Sequence, residues 1–473
     1  MTNLTVQYLD SHSFVGLISI MMTVSELGMN SVLKIPMKLS PEDSATLDGQ
    51  SRICNWAYNH LLERAISERQ KFIASNDKDA AKLVYSKRGL RDLLPELKKA
   101  FTFLQSVHSS PMKNAALRLS ASIEAYQKSR KGSRRGKKTG WPRFRSWSGK
   151  YFSLLYDEPK KGFKVHGKSL TISLGKNQDG KRLKVSGELE VSPARFHQAE
   201  IRQLRITKDH GGYYAIFTIE RPETAPRPVE KVIALDPNHK NLAYGVGSDG
   251  VAMEICNPWF LKVRQKRIDH LKSRRDRCHR KSVKKTAESG KAYWLPSRRW
   301  SKYQGKLEIE YSKRREQTKS YLYTICNFLC KNYDFISVGD YTPKGGGINP
   351  PMRRAMNNES LIGRFKETLQ WVAKKSGKIS DTWPERNTTK TCSHCGFEVD
   401  GGLSPEIREW DCAGCQIHHI RDENAAKNGL KYVYSKHKFP CSGRLSLEIK
   451  ERWALRFDGL GLISMNRWLL AGL

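Results

Sequence analysis

The sequence predicts an α/β fold in the second half of the chain, joined to an all-β part and a helical part in the first half. Three observations predict this class. Short apolar strands end in an acid at Asp236 and at Asp340, residues 150–221 alternate apolar with polar positions, and residues 41–128 show helical spacing of apolar residues. At 473 residues the chain is long enough for several domains, each with its own core.

The charge balance points to a polyanionic partner. The chain carries 84 Lys and Arg against 47 Asp and Glu, a formal net charge of +37. A compact protein with this excess repels itself unless a polyanion is present, so nucleic acid is the expected partner.

Cysteine usage and hydropathy indicate a soluble protein of a reducing compartment. Four of the ten cysteines form two CxxC pairs, and the others show no paired spacing. The apolar run at residues 13–23 lacks a basic start and is shorter than the about 20 residues that span a bilayer. We therefore expect a prokaryotic cytosolic, nucleoid-associated protein with no membrane partner. Residues 1–28 form an extension of unclear role.

The first half divides into a strand, a helical insertion and a strand-rich part. Residues 29–40 are predicted to contain a strand, residues 41–128 a helical domain, and residues 129–229 a basic segment followed by short strands. Such strands, cut by Gly, Asn and Asp turns, predict an antiparallel barrel or sandwich. The strand near Val32 is expected to join it across the helical insertion.

The segment KSRKGSRRGKKTGWPRFRS, residues 128–146, mixes cations with aromatic rings. This mixture is typical of contact with single-stranded or structured RNA, because it offers both phosphate partners and stacking faces. A disordered linker is the alternative. The candidate nucleic-acid-binding residues are Arg134, Arg135, Lys137, Lys138, Trp141, Arg143 and Phe144.

The second half begins with VIALDPN, a buried strand ending in Asp236, and continues with a hairpin turning at Gly250. Residues 258–335 are predicted to be mostly helical and strongly basic, with Arg274 and Arg275 as candidates for phosphate contact. The strand FISVGD, a helix stopped by Gly377 and the strand KISDTW then lead to Glu385.

Two cysteine pairs follow, with a spacing that matches a four-thiolate zinc ribbon. The predicted ligands of one structural Zn²⁺ are Cys392, Cys395, Cys412 and Cys415. Neighbouring histidines, His394, His418 and His419, are alternative ligands only if a thiolate is displaced. Asp422 lies seven residues after Cys415 and opens a helix, DENAAKNGL.

The order of strands, helices and acids is the ribonuclease H-like pattern. In such a fold, acids at the ends of the central strands and on the last helix meet at one edge of the sheet. They would hold two Mg²⁺ ions about 3.5–4 Å apart and support phosphodiester cleavage. One Asp at a strand end is weak evidence, because Asp is a common strand terminator, but three acids at these positions indicate a shared metal site.

Residues 231–432 resemble the RuvC nuclease domain of the transposon-encoded TnpB (OrfB) proteins and of the miniature type V CRISPR effectors. ALDPNHKN resembles the first RuvC motif. NTTKTCSHCG and WDCAGCQIHHIRDENAAKN resemble the zinc-bearing target-nucleic-acid-binding segment and the third motif. The resemblance implies a RuvC domain in two parts, residues 230–385 and 421–440, with a zinc-ribbon insertion at residues 386–420. It further implies a wedge β-barrel and a helical recognition domain in the first half, and leaves the tail, residues 441–473, unmatched.

The resemblance implies an RNA-guided, Mg²⁺-dependent DNA endonuclease that binds a guide RNA and a double-stranded DNA target. It leaves open whether one or two copies bind each guide. Asp236 and Asp422 match the first and third catalytic acids. Many relatives have Glu-Asp where this chain has Gly339-Asp340, whereas one branch has Gly there and a Glu just before the zinc segment, as Glu385 stands here. The predicted catalytic set is therefore Asp236, Glu385 and Asp422, with Asp340 as a support.

Arg421, directly before Asp422, is expected to contact DNA phosphate or to steady a carboxylate.

Two other functions remain open. One is a nuclease-inactive RNA-guided DNA-binding regulator, which the departure at Gly339 allows. The other is a guide-free zinc-ribbon DNA-binding protein or recombinase.

Overall fold

The computed structural model falls into two compact units, residues 1–222 and 223–473, and each unit is considered by itself. The predictions for residues 1–28 and for Arg135 lie outside the described part of the chain. The described residues are 29–134, 136–146, 151–177, 179–193, 200–209, 212–221, 224–225, 228–286, 290, 292–341, 360–404, 406–437, 439, 447–459 and 461–466.

Helices of the first unit form the insertion that the sequence predicts after the first strand. Pro41 stands at the first helical position and the Ser40 side chain accepts the backbone N–H of Asp43, so the first helix is capped where the sequence predicts its start. A short 3-10 helix follows at Thr102–Ser106. The α-helices are α1 (Pro41–Ser75), α2 (Lys78–Tyr85), α3 (Gly89–Asp92), α4 (Leu94–Ala100) and α5 (Ser109–Arg130).

Strands of the same unit form one antiparallel sheet of seven. They are β1 (Met29–Lys38), β2 (Ser153–Tyr156), β3 (Phe163–His166), β4 (Ser169–Lys176), β5 (Arg182–Leu189), β6 (Glu200–Asp209) and β7 (Gly212–Arg221). Their order is β2-β6-β7-β1-β5-β4-β3. β1 pairs with both β7 and β5, so the prediction that it joins the sheet across the helical insertion is confirmed.

The helices and the sheet of this unit share one hydrophobic core. Leu61 of α1, Leu119 of α5 and Phe217 of β7 are fully buried in the same cluster. Along β5 buried and exposed residues alternate, as expected for a sheet with one covered face. The hydrogen-bonded order ends at β2 and β3, and no hydrogen bond between these two edges is found among the described residues. The closed barrel therefore stays a prediction.

The second unit is built on a mixed sheet, which confirms the five strands that the sequence predicts there. β9 pairs antiparallel with β8 and β10, whereas β13 lies parallel to β8 and β14 parallel to β13. This is the ribonuclease H-like order. The five strands are β8 (Val232–Pro237), β9 (Ala243–Gly247), β10 (Val251–Ile255), β13 (Phe335–Gly339) and β14 (Ile379–Trp383).

Helices cover both faces of this sheet. Ile233 and Leu235 of β8 belong to the core beneath α7 (Arg298–Asn332) and α8 (Ile362–Lys375). Val232 and Ala234 belong to the opposite core, beneath α9 (Arg421–His437). Because side chains alternate along a strand, a strand covered on both faces reads as a continuous apolar run, as VIAL does.

The prediction that residues 258–335 are mostly helical is confirmed, but these residues also contain a hairpin that was not predicted. Between α6 (Phe260–Arg277) and α7 lies a two-stranded antiparallel hairpin, β11 (Val283–Thr286) and β12 (Ala292–Leu295). The dense Lys and Arg content resembles that of the flanking helices. Strand-favouring residues, Val283, Tyr293 and Trp294, and the left-handed Gly290 mark the hairpin instead.

The unmatched C-terminal tail extends the mixed sheet. β17 (Glu451–Phe457) pairs parallel with β10, and β18 (Leu462–Asn466) pairs with β17. Together the strands run β14-β13-β8-β9-β10-β17-β18. In the described part of the chain, no helix is long and apolar enough to cross a bilayer.

Candidate active site

Three acids come together at the carboxyl edge of β8, β13 and β14. Asp236 follows the apolar run of β8. Because side chains alternate along a strand, Asp236 lies on the same face as Val232 and Ala234, which α9 covers. Glu385 lies two residues beyond β14, and Asp422 stands in the first turn of α9. Asp236 is only 7% exposed. Because the parallel strands β8, β13 and β14 end at the same edge of the sheet, acids that are distant in sequence lie near one another there.

Glu385 occupies the place next to Gly339. A Cβ on Gly339 would collide with the Glu385 carboxyl group. Gly339 and Trp383 are partners in the parallel ladder of β13 and β14, so the chain beyond Trp383 returns over the end of β13. Gly339 therefore leaves room for an acid that is supplied by the neighbouring strand.

Asp340 takes a different position from Glu385. Its Oδ1 accepts the backbone N–H of Glu385 at 3.1 Å, and its own N–H donates to the carbonyl of Trp383 at 2.8 Å. Asp340 thus holds the main chain that carries Glu385, and its role as a support of the metal site stays a prediction.

The electrostatics of the site show that the carboxyl group of Asp236 is affected by the other two acids. Burial raises the pKa of Asp236 well above its usual range, and the nearby carboxylates of Glu385 and Asp422 raise it further, while Arg421 opposes them. Burial also raises the pKa of Glu385 to about 7, against the Tyr341 backbone N–H and Lys366. Buried carboxylates without enough positive charge around them are unfavourable, so bound cations would stabilise their ionised form.

The donor set fits hard divalent cations. Oε1 of Glu385 is buried and has no hydrogen-bond partner, and carboxylate oxygens are the ligands that Mg²⁺ prefers. Among the described residues, the four cysteines form the group whose donor atoms all lie within 4.8 Å of one another, so the acids are less tightly gathered than the thiolates. Residues that could hold such cations are Asp236, Glu385 and Asp422.

Basic and polar side chains surround the acids, and sequence reasoning missed most of them. Lys366 of α8 donates to the carbonyl of Tyr341 at 2.9 Å; burial lowers its pKa, and the nearby Glu385 carboxylate raises it. Asn238 donates to Oδ2 of Asp422 at 3.4 Å. His239 pairs with the Tyr341 hydroxyl at 3.1 Å. Asn238 and His239 were within reach of prediction, since both belong to the ALDPNHKN motif.

The four cysteines form a compact metal-type cluster. Sγ of Cys392 lies 3.7 Å from Sγ of Cys415, and Sγ of Cys395 lies 3.6 Å from Sγ of Cys412. Four thiolates about 2.3 Å from one Zn²⁺ would be separated by about 3.8 Å in a tetrahedron, so the spacing fits zinc.

The two cysteine knuckles repeat one geometry. In each, the residue after the second cysteine has a left-handed φ, Gly396 at 81° and Gln416 at 59°. The short strands β15 (Glu409–Asp411) and β16 (His418–Ile420) flank the second knuckle and pair antiparallel with each other. Of the three neighbouring histidines, His419 is buried, with Nε2 3.0 Å from Sγ of Cys392.

Helix α9 ties the zinc ribbon to the acids. Asn424 accepts the Ser393 N–H at 2.7 Å and donates to the carbonyls of Thr388 and Thr391, and Asn428 donates to the same two carbonyls. These carbonyls belong to the turns between Glu385 and Cys392. The helix that carries Asp422 therefore also holds the segment that follows Glu385.

The C-terminal tail braces the same helix. Arg452 of β17 donates to both carboxylate oxygens of Glu423, at 2.9 and 3.2 Å, and Tyr244 and Lys427 contact the same group. Burial raises the pKa of Glu423, but the hydrogen bonds and charges of Arg452 and Lys427 lower it below the usual value. Glu423 is adjacent to Asp422, so this ion pair steadies the start of α9.

The predicted nucleic-acid residues of the first unit differ in exposure. Phe144 is 58% exposed, whereas Trp141 packs against Tyr126 and beneath Arg69. Arg145, which sequence reasoning missed, lies over the ring of Tyr58 at 3.5 Å. The remaining candidates with described side chains are exposed: Arg134, Lys137, Lys138 and Arg143.

In the second unit, the three predicted arginines already have partners. Arg274 lies 5.7 Å from the Tyr303 ring, and Arg275 donates to Gln304 at 3.0 Å. Arg421 donates to the Ser404 carbonyl at 3.0 Å, and its Nε is buried without a partner. Arg421 also lowers the pKa of Asp236, and its role, contact with DNA phosphate or steadying of a carboxylate, stays a prediction.

Parts of this chain are similar in sequence to known proteins. The family model described as Cas12f1-like, TNB domain matches residues 363–429. A TnpB-like protein of Acanthamoeba polyphaga mimivirus is 30% identical over 142 residues, 29% of this chain and 27% of the relative. A putative transposase of the same virus is 34% identical over 133 residues, 27% of this chain and 26% of the relative. The chain thus spans about a quarter of the length of these curated relatives.

This chain is similar to TnpB-like proteins and, over residues 363–429, to the Cas12f1-like TNB domain. The part matched by the family model runs from α8 to α9 and includes Glu385, the four cysteines and Asp422. A solved structure, the Cas12f1 chain of a Cas12f1-sgRNA-target DNA complex, shares the fold. It has 11% identity and a TM-score of 0.52, and the match covers 85% of this chain and 98% of that chain.

Proposed function

We propose that this chain is an RNA-guided DNA endonuclease that cleaves phosphodiester bonds in a RuvC site. The observation that carries the proposal is the place of the Glu385 carboxyl group, which fills the space beside Gly339 and raises the pKa of Asp236 together with Asp422. Three acids from two strand ends and one helix are the set that such chemistry requires.

Asp236, Glu385 and Asp422 would hold two Mg²⁺ ions, which supply an activated water and stabilise the leaving 3′ oxygen. Asn238 orients the Asp422 carboxylate, and Asp340 holds the main chain of Glu385. Lys366 and Arg421 place positive charge beside the acids and limit their mutual repulsion. The Tyr341 backbone N–H donates to the Glu385 carboxylate, and His239 pairs with the Tyr341 hydroxyl.

A guide RNA and a DNA target are the proposed partners. The solved chain of the same fold is described in a complex with sgRNA and target DNA, and the net charge of +37 here requires a polyanion. Zinc is proposed as the ion of the four cysteines, with a structural role, because four thiolates leave no open coordination position.

The test combines RNA sequencing with cleavage. RNA that co-purifies with the full chain is sequenced, and a DNA target that matches its guide portion is incubated with the complex and Mg²⁺. We expect guide-dependent cleavage, a loss of more than about a hundredfold in Glu385→Ala with binding retained, and a smaller loss in Asp340→Asn. Glu406→Ala, at an exposed acid of the zinc ribbon, is the matched control.

The outcomes separate the alternatives. Guide-dependent binding without cleavage by the parent chain would establish the nuclease-inactive regulator. Absence of a defined co-purified RNA, with DNA binding retained, would establish the guide-free protein. Cleavage that survives in Glu385→Ala but is lost in Asp340→Asn would move the second acid to Asp340.

A further inference from the structure

The hairpin β11–β12, here called the aromatic ribbon (residues 283–286 and 292–295), is exposed on both faces, and the ring of Trp294 lies 4.9 Å from the ring of His279. It forms a separate two-stranded sheet, and every residue of both strands is exposed. Its apolar side chains include Val283 at 55%, Tyr293 at 48% and Trp294 at 53% exposure. A two-stranded hairpin by itself is only marginally stable in water, and exposed apolar clusters mark interaction sites.

The register of the aromatic ribbon places a cation opposite each aromatic ring. Lys284 is the direct partner of Trp294, and Lys285 is the direct partner of Tyr293. Directly opposed residues share a face of the ribbon, and successive pairs alternate between its faces. Each face therefore presents one aromatic ring with one ammonium group beside it.

The surroundings of the ribbon are strongly cationic. Between Cys278 and Trp300 the sequence has seven Lys or Arg and one acid, Glu288. The helices that flank the ribbon in sequence, α6 and α7, line a cavity of about 480 Å³, to which Lys266, Arg267 and Lys306 contribute cations and Glu310 contributes one acid. Such charge is complementary to phosphate and excludes another basic surface, such as a second copy of this ribbon, as the occupant.

We propose that the aromatic ribbon binds an unpaired stretch of nucleic acid, by stacking Tyr293 and Trp294 on bases and pairing Lys284 and Lys285 with phosphates. Stacking requires bases that are free of a duplex, whereas a paired helix would offer the lysines only its phosphates. The inference rests on the proposed function only for the source of the strand, which is either the guide RNA or the opened DNA.

The first experiment uses the parent chain with its co-purified RNA, with and without a matching DNA target. Ultraviolet crosslinking followed by mass spectrometry of peptides is expected to find a nucleotide adduct on Tyr293 or Trp294. A ribonucleotide adduct identifies the guide as the source, and a deoxyribonucleotide adduct identifies the DNA. Adducts elsewhere on the chain but none on the ribbon would overturn the proposal.

The second experiment measures affinity without any need for cleavage. Fluorescence anisotropy at raised salt, which weakens phosphate contacts more than stacking, compares unpaired RNA and DNA oligonucleotides with a blunt duplex. We expect Tyr293→Leu/Trp294→Leu to weaken binding of an unpaired strand about tenfold or more and to leave duplex binding unchanged. Trp259→Leu, at a ring that is 57% exposed outside the ribbon, is the matched control.

Equal affinity of the double variant and the parent for unpaired strands would contradict the proposal. The ribbon substitutions are exposed, so the melting temperature should match that of Trp259→Leu. If guided cleavage is absent but the crosslink and the affinity loss are found, the proposed function fails and the ribbon inference stands.

Discussion

The carboxyl group of Glu385 fills the space into which a side chain on Gly339 would extend. Gly339 does not have a left-handed φ, so the neighbouring acid, rather than the backbone, excludes a side chain there. The two residues are 46 positions apart in sequence and adjacent in the sheet through the parallel pair β13–β14. A carboxylate that follows one strand can therefore occupy the position that a carboxylate on the neighbouring strand would otherwise fill.

This relationship predicts a rescue. Gly339→Glu alone should collide with Glu385, and Glu385→Gly alone should remove the acid, so each should lower guided cleavage by more than about a hundredfold. The double variant Gly339→Glu/Glu385→Gly should regain at least about tenfold over either single variant, because it supplies the carboxylate from β13. The measurement is the single-turnover cleavage rate.

Gly363→Ala is the control for this experiment, since a Cβ there meets nothing within 4 Å. A double variant as inactive as the two single variants would show that the two positions are not equivalent.

The raised acid pKa values predict a pH-dependent stability of the metal-free chain. The pKa of Glu385 is about 7 against an ordinary 4.5, and that of Asp236 is also raised. An acid with a higher pKa in the folded state contributes stability below its unfolded pKa, and that contribution is lost as pH rises through the folded pKa. Between about pH 4.5 and 7, the metal-free chain should therefore lose stability as the cluster ionises.

Asp236→Asn should relieve this repulsion. In EDTA at pH 8, we expect its Tm to exceed that of the parent by ~2–4 °C, and the difference should shrink toward pH 5. Added Mg²⁺ should raise the Tm of the parent more than that of the variant. Calorimetry of Asp400→Asn, at an exposed acid of the zinc-ribbon insertion, controls for the loss of one charge. A Tm difference independent of pH would argue against the coupled cluster.

Zinc stoichiometry tests the cysteine cluster. The parent should contain one zinc per chain by elemental mass spectrometry, and Cys412→Ser should lose it, because one thiolate fewer leaves an open site. Cleavage should fall with the zinc, since Asn424 links the Cys392 knuckle to the helix of Asp422.

Cys278→Ser should keep the zinc, as this cysteine lies outside the cluster. Full zinc content in Cys412→Ser would show that this thiolate is not a ligand, and would turn attention to His419.

The ion pair between Arg452 and Glu423 predicts that substitutions of the two residues have coupled effects on stability. Arg452→Ala leaves the buried Glu423 with Lys427 as its remaining cation and should lower the free energy of unfolding by about 1–3 kcal/mol. Glu423→Gln should also destabilise the chain, and the double variant should cost less than the sum of the two. Urea denaturation measures all three.

Arg456→Ala, at an exposed position of the same strand, should stay within about 0.5 kcal/mol of the parent. Additive single and double effects would indicate that Arg452 and Glu423 do not depend on each other.

Much of the second unit could be predicted because its signals are local. The apolar run before Asp236 and the CxxC spacing each depend on a few neighbouring residues, and the five strands are confirmed. The hairpin β11–β12 was missed because its lysines resemble those of the flanking helices. The strand β17 was missed because its partner, β10, lies about 200 residues earlier, and no local pattern reports such a pairing.

The sequence by itself determined the fold class and the CxxC spacing, and it predicted a nucleic-acid partner and the candidate acids, because composition, short-range periodicity and local motifs carry that information. Only the tertiary structure decided that Glu385 fills the space beside Gly339, that Asp340 holds its main chain, and that Arg452 braces α9. Those relationships depend on strand register and on the crossing of distant elements, which packing of the whole core sets and no single segment encodes.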